Sequence, residues 1–147
     1  MTDSGNELTG SCHCGNIVYR LRTERDTAQL PLRRCGCSFC RRTGARYTSD
    51  PKGELHIGIV DAGAVNRYRF ASEVVEFLVC TRCGCMPAAL SEIDGRTYAV
   101  INANCLEPLL SGEARISDFT GETPQESEKR RLDNWIGHVT LTQETAP

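Results

Sequence analysis

The clearest period in the chain is two. Ile17-Val18-Tyr19-Arg20-Leu21-Arg22 is apolar at every second position, and Leu55-His56-Ile57-Gly58-Ile59 follows the same rule. Such alternation sets one face against a core and the other toward water, which predicts half-buried strands. His56 falls on the face opposite Leu55 and Ile57 and is expected at the surface. Residues 65–70 and 74–79 predict two more strands, joined through Ala71-Ser72-Glu73. Residues 86–90 and 97–101 flank Asp94-Gly95, a dipeptide suited to a tight hairpin turn. Residues 114–119 read as the last strand. Thr123-Pro124-Gln125-Glu126 has the form of a capping box with proline at the first helical position. It predicts a short helix through about Trp135, with Leu132, Trp135 and Ile136 on one face and Trp135 as a core anchor. Residues 1–9 are expected as a flexible arm, 10–142 as a single domain and 143–147 as a frayed tail.

A length of 147 residues suits one domain. Only 39% of residues are hydrophobic and 6% aromatic, so the core is modest and a bound metal would add materially to stability. The net charge of −2 argues against a general nucleic-acid binder, which carries a basic footprint. Of the 17 Lys and Arg residues, only Lys52 and Lys129 are lysine. Arginine forks bind carboxylates and phosphates bidentately. The N-terminus is polar and acidic without an apolar signal region, and no run reaches the length of a membrane-spanning helix. A cytoplasmic location is therefore expected, with no membrane partner. There thiols stay reduced, and clustered cysteines bind metal more often than they pair. The odd count of 9 cysteines also fits a closed disulfide framework poorly.

The cysteines fall into clusters. Cys35, Cys37 and Cys40 form C-x-C-x-x-C, a spacing that lets one loop aim three sulfurs at one point. Zinc takes four tetrahedral ligands, and thiolates suit it. The fourth position is then open to water or substrate, as in catalytic sites, or closed by a ligand from elsewhere, as in structural ones. Cys12 and Cys14 share a face of an extended segment, which turns His13 away from the metal. Cys80-Thr81-Arg82-Cys83-Gly84 has the form of a zinc knuckle, and the lack of a βαβ context argues against a redox pair. Cys85 is a spare thiol beside it, and Cys105 an isolated cysteine of the kind more often buried than ligating. Seven of these thiols divide naturally into Cys12, Cys14, Cys80 and Cys83 around one ion, and Cys35, Cys37 and Cys40 around another. Spacing does not force that partition, and Cys85 or Cys105 is available as an eighth ligand.

The ordered combination of Gly10-Ser11-Cys12-His13-Cys14-Gly15, Cys35-Gly36-Cys37-Ser38-Phe39-Cys40-Arg41-Arg42 with Gly44-Ala45, and Phe77, Cys80 and Cys83-Gly84 resembles the glutathione-dependent formaldehyde-activating enzyme family, which includes centromere protein V. The resemblance spans roughly residues 10–110. It implies an Mss4-like fold, mainly β, of small twisted antiparallel sheets around zinc sites, with the short helix following them. It implies two zinc ions divided four plus three, with the three-cysteine zinc at the active site. It implies a carbon–sulfur lyase acting on the adduct of glutathione, or another small thiol, and an aldehyde such as formaldehyde. The segment 118–141 matches no motif with a known role.

An open thiolate-ligated zinc can bind a substrate thiolate or polarise an oxygen. Arg33, Arg34, Arg41, Arg42 and Arg46 flank the central loop, and glutathione carries two carboxylates. Arg41, Arg42 and Arg46 are thus candidate substrate-orienting residues, with at most two of the flanking arginines expected to touch ligand. No Ser-His-Asp or Cys-His arrangement is visible. The rival reading is a non-catalytic two-zinc module that binds protein or nucleic acid. A third is a redox sensor working through Cys85 or Cys105.

Overall fold

The computed structural model describes residues 5–143. Among them the elements run, in chain order, β1 (Asn6–Ser11), β2 (Ile17–Thr23), β3 (Arg33–Cys35), α1 (Ser38–Thr43), β4 (Tyr47–Thr48), β5 (Glu54–Ile59), β6 (Val65–Tyr68), β7 (Glu76–Cys80), β8 (Ala88–Ile93), β9 (Arg96–Asn102), β10 (Arg115–Ser117), α2 (Pro124–Asn134) and β11 (His138–Gln143). The chain is mainly β, as expected, with one short helix near its C-terminal end. No helix among the described residues is long and apolar enough to cross a membrane.

The strands form two sheets. One has the order β1-β2-β5-β11, and the other β10-β3-β4-β9-β8-β7-β6. Period-two alternation explains the first: Ile17, Tyr19 and Leu21 of β2 and Leu55, Ile57 and Ile59 of β5 are buried on one face. They pack on Leu78, Leu90, Ala99 and Ile101 of the larger sheet in one core. A second core lies on Tyr47, Phe77, Ala89 and Val100 of that sheet and joins Cys40 of α1 and Trp135. Strand β8 therefore lacks a polar face at Ala88, Ala89, Leu90 and Ser91, all buried. The β8–β9 hairpin turns at Asp94 and Gly95, both at positive φ (51° and 79°), as a two-residue turn of this type needs.

Several expectations are corrected. The arm predicted over 1–9 is strand from Asn6, because β1 pairs with β2 in register and Leu8 packs against the core; its residues 1–4, and the tail at 144–147, lie outside the described residues. The last strand is β11, not 114–119, which yields only β10. The sheets are not wholly antiparallel: β10 joins β3 and β11 joins β5 in parallel. Thr123 does cap α2, with its side chain accepting from Glu126 N. Leu132, however, is 41% exposed, and Arg131 is buried in its place at 4%. The helix ends at Asn134, so Ile136 leaves helical phase and pairs as an isolated bridge with Ala99.

Ile57 sits with 0% exposure at the centre of the main core. Ile57→Ala is expected to cost ~2–5 kcal/mol in denaturant unfolding, through lost burial and an incompletely filled cavity.

Candidate metal centres and active site

The first cysteine group is assembled from two tight turns. After β1 the chain reverses, with Cys12 N donating to Ile17 O and Gly15 N to Cys12 O. The segment is a turn rather than the extended stretch that the i, i+2 argument assumed, yet Cys12 and Cys14 still converge, their sulfurs 3.8 Å apart. The second turn follows β7. Gly84 N donates to Cys80 O and Cys80 N to Cys85 O, and Gly84 holds φ at 80°, which a side chain would resist. Cys14 Sγ lies 3.5 Å from Cys80 Sγ, and the sulfurs of Cys12, Cys14, Cys80 and Cys83 all fall within 4.8 Å of one another. A tetrahedral zinc with bonds of about 2.3 Å spaces its sulfurs by roughly 3.8 Å, so the donor set fits such an ion.

The second group is local. Cys35 ends β3, Cys37 is the N-cap of α1 and Cys40 lies in its first turn. The loop foreseen around these thiols is thus largely a helix. Cys37 Sγ accepts from Cys40 N at 3.3 Å. The three sulfurs lie within 4.8 Å of one another. Neither Cys85 nor Cys105 belongs to this group or the other; both pack against the main core. Tyr47, which sequence reasoning did not single out, brings its hydroxyl to 3.1 Å from Cys40 Sγ. Burial, reinforced by Cys40, pushes the Tyr47 phenol well above its ordinary range, so it stays protonated.

Each group contains one thiol poised to ionise. The Cys40 thiol donates to Cys35 and, against the push of burial, brings it down to about 6. Cys40 is correspondingly raised by Cys35 and by burial. Burial pushes Cys83 up, but the N–H groups of Cys85 and Cys14 and the thiols of Cys80 and Cys12 outweigh it and bring it to about 6. Burial holds Cys12 up at about 12.

A cavity of about 390 Å³ opens beside Cys35, Cys37 and Cys40. Its apolar wall includes Phe70, Val74, Phe77, Val100 and Trp135, and its cations are Arg33, Arg130 and Arg131. Arg41, Arg42 and Arg46 do not line it. Arg41 is exposed, Arg42 donates to Ser38 O, and Arg46 Nε donates to Asn104 Oδ1 at 2.7 Å. Only Arg33 was in view from the sequence; Arg130 and Arg131 arrive on α2 from almost a hundred residues away. The one available sign was Arg131 standing a helical turn before Trp135.

The family model for the glutathione-dependent formaldehyde-activating enzyme matches residues 7–122. The chain belongs to this family. A Halomonas elongata protein, provisionally named a glutathione-dependent formaldehyde-activating enzyme, is 32% identical over 84 residues. That match covers 52% of this chain and 51% of the relative, so the chain spans about half the length of the curated relative it matches. A crystal structure of a Rhodobacter sphaeroides protein superposes with a TM-score of 0.60 at 26% identity, over 74% of this chain and 99% of the other. All seven grouped cysteines lie inside the region matched to the formaldehyde-activating enzyme family, and α2 lies beyond it.

Metal displaces the proton of each thiol it binds, which fixes the sign of the pH dependence. Above about pH 6, Cys35 and Cys83 of the metal-free chain are already thiolates. Below it, each group sheds one further proton on binding. Metal affinity is therefore expected to fall on acidification, and more steeply below about pH 6. Competition with a chromophoric chelator between about pH 8 and about pH 5 measures this, and an affinity flat across that range would count against thiolate ligation.

Proposed function

We propose that this protein is a zinc-dependent carbon–sulfur lyase-type enzyme acting on the adduct of a small thiol, such as glutathione, and an aldehyde, such as formaldehyde. The observation that carries the reading is the three-sulfur group of Cys35, Cys37 and Cys40 set in the wall of a cavity. A group one donor short of tetrahedral, beside space for a ligand, is how a reactive zinc site is built, whereas the four-sulfur group is complete in itself. Membership of the family, whose name couples glutathione to formaldehyde, supports the same reading.

Zinc at the three-cysteine site would supply Lewis acidity and affinity for a thiolate. The reaction balances without an oxidant. When thiol and aldehyde join, a sulfur–carbon bond forms at the carbonyl carbon, and the thiol proton ends on the aldehyde oxygen as a hydroxyl. Cleavage is the reverse. The chain's own part is to position. Tyr47, held as a neutral phenol, hydrogen-bonds Cys40 and keeps that sulfur in place. Phe70 and Phe77 exclude water from one side of the cavity. This reading places the protein in the cytoplasm, where glutathione and unpaired thiols coexist.

About two zinc ions per chain are expected by elemental analysis of protein purified without added metal. The two groups differ in how much chain they fasten: Cys14 and Cys80 are 66 residues apart, whereas Cys35 and Cys40 share one short segment. Cys83→Ser is expected to be insoluble or to melt far below wild type, because metal-binding free energy is folding free energy there. Cys37→Ser is expected to stay folded with one zinc.

The deciding experiment is exchange NMR on glutathione and formaldehyde at equilibrium. Wild type is expected to accelerate formation and breakdown of the hydroxymethyl thioether, and Cys37→Ser to lose that acceleration. A wild type no faster than buffer, with both zinc ions bound, would leave a two-zinc interaction module as the better reading.

A further inference from the structure

Two guanidinium groups of the cavity wall have no carboxylate in contact. Arg131 is 4% exposed, its Nε has no hydrogen-bond partner, and its Nη1 donates to Ser127 Oγ. Arg33 donates from Nη2 to Ser49 Oγ, which in turn donates to Asn134 O at the end of α2. Among the described residues neither arginine makes an ion pair. Arg130 is different: it forks onto Glu122 at 2.9 and 3.0 Å and lies 3.6 Å above the Phe119 ring. No Asp or Glu lines the cavity.

A buried guanidinium stays charged, and one without a paired anion carries a desolvation cost; at Arg131 the fields of Glu128 and Glu122 offset it only in part. Burial depresses the basicity of both Arg33 and Arg131, and Arg130 adds repulsion. Both are held by hydrogen bonds to neutral oxygens, so their orientation is set before any ligand arrives. An entering carboxylate would recover that cost through charge-assisted hydrogen bonds.

We propose that Arg33 and Arg131 seat the carboxylate of the substrate, and that the preferred substrate is an adduct of a thiol carboxylate with an apolar body. Glutathione fits this cavity less well. Its ammonium group meets no acidic side chain among the lining residues, and its second carboxylate would be set against Phe70, Val74 or Phe77. The assignment of the sulfur end rests on the lyase reading above; the carboxylate seat rests on the arginines alone. Arg131 and Trp135 lie beyond residues 7–122, so one part of the wall that selects this ligand is outside the segment matched to the family, whereas Arg33 is inside it.

Trp135 is the sole tryptophan and lines the cavity, so its fluorescence reports occupancy without any turnover. The probes are 3-phenylpropionate, its neutral analogue 3-phenylpropanol, the cation 3-phenylpropylammonium, and glutathione, each titrated into metal-loaded wild type. The carboxylate is expected to bind at least about ten-fold more tightly than the alcohol, the usual scale for hydrogen bonds to a charged partner. The cation is expected to bind least, and glutathione more weakly than 3-phenylpropionate. Arg131→Met and Arg33→Met, checked for folding by thermal melting, are each expected to bring the carboxylate to the level of the alcohol. If Arg131→Met does not fold, Arg33→Met and the wild-type series decide. Equal affinity for carboxylate and alcohol, tighter binding of glutathione, or undiminished preference in the folded variants overturns the proposal. Carboxylate preference without exchange of formaldehyde with either glutathione or 3-mercaptopropionate keeps the seat and removes the lyase reading; exchange without the preference does the reverse.

Discussion

The two sheets of this protein are joined at four sulfur atoms. Cys12 and Cys14 follow an edge strand of the smaller sheet, and Cys80 and Cys83 follow a strand of the larger one. Four thiols gathered within 4.8 Å are a poor joint unaided, since S–H groups are weak donors and like-charged thiolates repel. A thiophilic ion converts the same crowding into bonds. The hydrophobic core between the sheets is of moderate size and built largely from one face of β2 and β5. With such an ion bound, the sulfurs would fasten β1 and β2 to β7, and with them the parallel strand β11 that completes the smaller sheet.

The second core follows from the first. Once β8 and β9 are covered on one face by the smaller sheet, their other face must be covered too, and Cys40 of α1 and Trp135 pack there. The cover is incomplete beside Cys35, Cys37 and Cys40, where the cavity lies. Its rim includes Ala71 and Ser72. In that link Ala71 and the neighbouring Glu73 both hold positive φ, at 55° and 60°. Non-glycine residues adopt that conformation at a cost of roughly 1–2 kcal/mol each. The link is thus shaped by the packing around it rather than by its own preference. Phe39, Phe70 and Phe77 cluster beside it with centroids 4.6 to 5.7 Å apart, Phe70 and Phe77 stacked and Phe39 tilted against both.

Cysteine spacing was legible because metal ligation is partly a local constraint. Two ligands from one turn must be two or three residues apart, whatever the rest of the chain does. Strands β2 and β5 were legible for a related reason, since period two survives any topology. Features decided by distant packing were not. Arg41, Arg42 and Arg46 are neighbours of the cysteines in sequence, but none lines the cavity: Arg41 and Arg42 sit on α1, and Arg46, beyond it, is held by Asn104. Arg130 and Arg131 read as part of a charged run, Glu128-Lys129-Arg130-Arg131, and only the docking of α2 separates the buried residue from the exposed ones. Strand β11 shows alternation at Val139 and Leu141, a signal present in the sequence but short and flanked by polar residues. The parallel pairing of β11 with β5 has no local signature, because such pairs join segments far apart in the chain.

Arg33 shares β3 with Cys35, but Arg131 comes from α2, which carries no cysteine, and that separates two kinds of change. The cysteine groups are fixed by turns in which one residue more or less would break the ligand geometry. Helix α2 is held differently, by a capping box at Thr123 and Glu126, by Trp135 in the second core and by the hydrogen bond from Ser49 Oγ to Asn134 O. Side chains on its inner face can change without moving a sulfur atom. A Leu at 131, for example, would leave the three-cysteine group intact while making that wall apolar. The three-cysteine group therefore lies wholly in the segment matched to the family, whereas the wall around it is completed by α2 and Trp135 outside that segment. On this physical ground, membership of the family constrains the reaction more tightly than it constrains the substrate.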